Sequence, residues 1–142
     1  MAETADQLRA SLADGRAALR AAIETAAGTW ERRPVSGEGE DGWSPRQAAE
    51  HVIPTEAYFT TLVCKVCGYP GVDRVTGSYA TAAEALAGLD AVVEMCNKKL
   101  KYVSETDLEK TDEKYGSCLG LLKTNITHLN DHAVQIRAVA GG

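Results

Sequence analysis

The stretch LKTNITHLNDHAVQIRAVA, residues 122–140, decides the fold. Its apolar residues Leu122, Ile126, Leu129, Ala133, Ile136 and Ala140 follow a strict four-three alternation, the spacing that gathers side chains on one face of an α-helix. A helix with so continuous a stripe belongs at the centre of a helical domain. A second, polar stripe runs beside it. With 3.6 residues per turn, Asn125, His128, His132 and Gln135 fall together at the edge of the apolar face, where they would line a cleft.

Working outward, the same spacing predicts three more helices. Leu8, Leu12, Leu19, Ile23, Ala26 and Trp30 share one face of a helix expected from about Glu3 to Trp30. Residues 31–42, ERRPVSGEGEDG, carry Pro34, three glycines and no periodicity, and read as a surface loop. Ser44, Pro45 and Gln47 then form a capping box with proline at the first helical position. The helix they open is expected to reach Cys67, with Ala48, Val52, Thr55, Phe59, Leu62 or Val63, and Val66 facing inward. Pro54 lies inside it, so a kink is expected beside His51. Breakers fill residues 68–79, after which Thr81 and Glu84 cap a third helix with Leu86, Leu89, Val93, Cys96, Leu100 and Val103 inward. The final helix starts near Ser117. Strand alternation and internal repeats are missing from the sequence, so the expected fold is all-α, a single four-helix bundle domain over residues 1–142.

Composition narrows the function classes. A chain of 142 residues can bury enough apolar surface to fold without a structural metal, so a metal would be functional. The net charge is −5 with the Lys and Arg residues dispersed, which offers no concentrated basic surface for a phosphate backbone. Nucleic acid is not an expected partner. No apolar run reaches the length a membrane span needs, and the charged N-terminus has no signal-peptide core, so a cytoplasmic location is expected. There the four cysteines, Cys64, Cys67, Cys96 and Cys118, are expected to be free thiols. Cys64 and Cys67 spell C-x-x-C, yet at a helix C-terminus, where thiolate is disfavoured, and Cys96 and Cys118 supply no matching pair. Ordinary packing is the expectation for all four.

The chain contains three histidines, and all fall in comparable places. His128 and His132 stand four apart, so their imidazoles project from one side of the helix and can share an ion. His51 precedes the core residue Val52 on helix two, as His128 precedes Leu129 and His132 precedes Ala133. If these edges face each other, three neutral imidazoles converge and leave positions open for water or substrate, the pattern of a reactive site.

The run WSPRQAAEHV (43–52), followed at distance by HLNDHAVQI (128–136), resembles the DinB-like superfamily. That family includes the DinB and YfiT-like proteins and the metal-binding domain of mycothiol-dependent maleylpyruvate isomerase. Trp43, Pro45, His51, His128, His132 and Gln135 match its pattern position by position, while Pro54 departs from it. The resemblance implies an up-down-down-up bundle, often a homodimer, with one divalent metal: zinc, nickel or manganese. It also implies a low-molecular-weight thiol such as mycothiol or bacillithiol, used for S-transfer or isomerisation of a small-molecule electrophile. The alternatives are a metal-dependent hydrolase, a non-catalytic metal-binding or stress-associated protein, and an interaction module.

Further residues are candidates by position. Glu56 lies on the inward half of helix two, where a carboxylate is costly unless paired or coordinating. It is a candidate general base or ligand-orienting group, against the simpler reading of an edge carboxylate with a solvated head. Asn125 and Gln135 bracket the histidines and are candidates to orient a ligand water or a substrate carbonyl. Asp131 points away from His132 and is expected to face solvent or a dimer partner.

Overall fold

The computed structural model describes residues 3–140; the four terminal residues of the expected single domain lie outside the described residues. Four long helices make up most of it: α1 (Ala5–Thr25), α2 (Pro45–Cys67), α3 (Ala82–Leu100) and α5 (Cys118–Ala140). A short helix, α4 (Glu105–Leu108), and an antiparallel hairpin, β1 (Thr111–Asp112) with β2 (Gly116–Ser117), lie between α3 and α5. The long helices pack in a ring, with α5 against α1 and α2, and α3 against the other sides of α2 and α1.

Local chemistry starts and stops these helices. The Ser44–Gln47 and Thr81–Glu84 capping boxes form as expected, and Thr4–Gln7 caps α1 in the same way. Helix α2 ends at Gly68 in the left-handed conformation (φ 84°), with the Tyr69 amide donating to the Cys64 carbonyl. Ser117 Oγ accepts from the Gly120 amide and caps α5.

Three expectations are corrected. Helix α1 stops at Thr25, and Ala26 and Trp30 reach the core through a 3₁₀ turn (Ala27–Thr29). The buried face of α3 is Ala85, Leu89, Val92, Cys96 and Leu100, leaving Leu86 and Val93 half-buried. The buried arc of α2 is displaced from the expected stripe: it takes in Ile53, Glu56, Ala57 and Thr60, because this helix packs on both α3 and α5, and leaves Thr55, Phe59 and Val66 half-buried. The α2 helix continues through Pro54 as one element, and Thr55 Oγ1 donates to the His51 carbonyl at 2.6 Å. The hairpin at 111–117 was not expected either.

The core joins Leu8, Leu12, Leu19 and Ile23 to Val52, Ile53 and Val63, and to Leu129, Ala133 and Ile136. Gly15 of α1 packs against Leu129 of α5, where an added Cβ would meet Leu129 Cβ at the contact distance of 3.4 Å. The polar edge of α5 faces α2 and the loop before it, through His128, Asn125 and Gln135.

Candidate metal centre

The three histidines come together as expected. His128 Nε2 lies 3.2 Å from His51 Nε2 and 3.1 Å from His132 Nε2, and one nitrogen from each ring falls within 4.8 Å of the others. Donors around a four-coordinate zinc lie about 3.4 Å apart when the Zn–N bonds are 2.0–2.1 Å, so these spacings suit one ion. Three histidines so placed can hold a metal.

The rings are set by their surroundings. Gln135 Nε2 donates to the Glu40 carbonyl, which leaves Gln135 Oε1 as an acceptor 2.7 Å from His132 Nδ1. His132 Nδ1 therefore carries the proton, and its Nε2 lone pair points at the other two histidines. Fixing a ligand's tautomer through its second nitrogen is the usual office of an outer partner in metal sites. Trp43 lies over His51 at 5.1 Å and stacks on His132 at 6.3 Å with 17° between planes. Phe59 closes the side of His128 at 6.0 Å.

Burial disfavours the protonated imidazoles. His51 is held below the ordinary histidine range by burial first and by His132 second. His128 is pushed down to about 4, again by burial first and then by His132 and His51. Neutral imidazole is the metal-binding form, so both rings are ready ligands near neutrality.

Glu56 is not an edge carboxylate. It is fully buried, with Oε1 accepting from Arg16 Nε at 2.7 Å and from Arg16 Nη2, and Oε2 accepting from Asn125 Nδ2 at 2.7 Å. Arg16 is itself buried and also donates to Asn97 Oδ1 at 2.6 Å. The pairing that lets a carboxylate sit at this depth comes from Arg16 on α1, which replaces the expected solvated head. Asn125 thus serves the carboxylate; its Oδ1, like His128 Nδ1 one turn along α5, is buried without a partner. Asp131 is exposed, as expected.

The cysteines are buried free thiols, and Cys118 does not stand alone: its sulfur lies 3.7 Å from that of Cys67. Of two further groups near the metal centre, Glu40 was missed in the sequence and Trp43 was named there only through the family resemblance. Trp43 stands one residue before the Ser44 cap and eight before His51, and its ring lies against His51 and His132. Glu40 sits in the loop read as featureless, with Oε1 3.7 Å from His51 Nε2 and 4.0 Å from His132 Nε2. Among the described residues no helix is long and apolar enough to cross a membrane.

Neither the curated proteins nor the solved structures contain a match to the chain. A family model described as the DinB superfamily matches residues 11–136, a span that runs from the first half of α1 to Ile136 in α5 and includes all three histidines. The chain belongs to the DinB superfamily.

Proposed function

We propose that this protein is a metal-dependent enzyme that activates a low-molecular-weight thiol or water for S-transfer or isomerisation on a small electrophile. The observation that carries this reading is a set of three histidine donors, since structural zinc sites take four protein ligands whereas catalytic ones take three and leave a position for water or substrate. A divalent metal bound there supplies a Lewis acid that brings the acidity of a coordinated thiol or water into the physiological range.

The chain's own residues do the positioning. Gln135 fixes the proton of His132 on Nδ1, while Trp43 and Phe59 form apolar walls that limit water around the donors. His128 also lines a surface depression of ≈ 370 Å³ with Lys123, Thr124, Thr127 and Asp131, room for a small substrate beside the site. The choice of mycothiol or bacillithiol, of zinc, nickel or manganese, a homodimeric state and an up-down-down-up helix course belong to this reading through the family, and a cytoplasmic location belongs to it as an expectation from the sequence.

The test is turnover of a panel of small electrophiles with mycothiol, bacillithiol or water by the metal-reconstituted protein. The expected result is turnover that disappears on chelation and in His128→Ala. Full metal loading with no metal-dependent turnover across the panel would overturn the enzymatic reading in favour of a metal-binding protein without catalysis.

A further inference from the structure

Among the described residues, Glu40 brings its carboxylate within 4.0 Å of two of the histidine nitrogens. We propose that Glu40 is the fourth donor of the metal centre, delivered across its open side by the loop between α1 and α2. Its Oε1 stands 3.7 Å from His51 Nε2 and 4.0 Å from His132 Nε2, beyond the roughly 3.4 Å between donors that share a four-coordinate zinc, and it lies outside the compact donor set of the three histidines, so the side chain has to swing inward to share their ion. Among neutral imidazoles a carboxylate gains little, but beside a divalent cation it offsets part of the cost of desolvating the charge.

The loop is shaped to hold this residue there. The Glu40 carbonyl accepts from Gln135 Nε2 and from the Trp43 amide at 3.2 Å, so the backbone is tied to the partner of one ligand and to the aromatic wall over two. The turn before it depends on glycine: Gly37 has φ 132°, and a Cβ there would lie 2.5 Å from the Asp41 carbonyl oxygen. The side chain beyond this anchored backbone is 60% exposed. An anchored backbone with a free side chain suits a donor that gives way to an incoming ligand.

This inference rests on metal binding by the three histidines, and cobalt(II) separates the two claims. Cobalt titration of the wild-type chain, Glu40→Gln and Glu40→Ala reports affinity and, through the visible d–d bands, the coordination sphere. Because Glu40 is exposed, neither variant threatens the fold. Expected are altered bands in both variants and an affinity lowered by at least the about tenfold that outer partners of metal ligands contribute. Imidazole, uncharged at mildly alkaline pH, serves as the competing ligand. If Glu40 holds the position in about nine of ten molecules, imidazole binds cobalt-loaded Glu40→Ala about tenfold more tightly than wild type. Unchanged bands together with unchanged imidazole affinity would overturn the role of Glu40 while leaving the histidine site standing. No cobalt uptake by the wild-type chain would overturn both.

Discussion

The Gln135 side-chain oxygen lies 2.7 Å from His132 Nδ1 while the same amide donates to the Glu40 carbonyl. One side chain thereby fixes the tautomer of a metal ligand and pins the loop over the site. Gln135→Leu removes both bonds and leaves the core intact. A fall in zinc affinity of about 10–100-fold is expected, measured by competition with a chromophoric chelator, with the unfolding midpoint of the metal-free protein little changed. Wild-type affinity in this variant would mean that the bond does not orient His132.

Arg16 and Glu56 form a buried ion pair whose partners come from α1 and α2 and whose second carboxylate oxygen is held by Asn125 of α5. Removing one partner strands the other charge in the core. Arg16→Ala and Glu56→Ala are each expected to cost about 3–5 kcal/mol in urea unfolding, and joint replacement by Met and Leu to recover much of that loss. Glu56→Gln that keeps its stability yet loses turnover would return Glu56 to the chemistry.

The pH dependence of the metal-free protein follows from His128. Its native pKa is pushed down to about 4 by burial, whereas the unfolded chain takes up this proton near pH 6.5. Between these values the unfolded state binds more protons, so its contribution to stability is full above about pH 6.5 and is lost as the pH falls toward 4. Urea unfolding across this window should show stability falling with pH, and His128→Leu should flatten the slope. An equal slope in the variant would contradict the assignment.

Burial raises the proton affinity of the thiols, with Cys118 pushed up to about 12 and Cys96 to about 11. In the native protein all four cysteines should react slowly with a disulfide reagent such as dithionitrobenzoate at neutral pH, and all should react promptly once unfolded. A fast native thiol would point to a redox role for the C-x-x-C pair.

Much of this architecture is legible in the sequence, for physical reasons that can be named. The α5 stripe is readable because helical spacing alone puts Leu129, Ala133 and Ile136 on one face, and the Ser44 and Thr81 boxes act within four residues. The histidine cluster is readable because each of its members precedes a core residue on its helix. Arg16 also left a signal: it fills the gap in the stripe between Leu12 and Leu19, as Glu56 sits in the inward arc of α2, and opposite charges at two core positions point to each other. Glu40 left none, since its approach to His51 depends on the packing of a loop without periodicity. The hairpin is two residues on each side, too short for alternation. Its trace is Asp112, whose Oδ1 accepts from the Lys114 and Tyr115 amides, and Gly116 at φ 88°.

The central claim is that His51, His128 and His132 form one metal site. Calorimetric titration of the metal-free protein with zinc, alongside His128→Ala and the triple alanine variant, tests it most directly. The expected result is one zinc per chain in the wild type, with affinity falling by about a hundredfold or more in His128→Ala and no saturable binding in the triple variant. Absence of zinc uptake by the wild type, or uptake unchanged by replacing all three histidines, would contradict it.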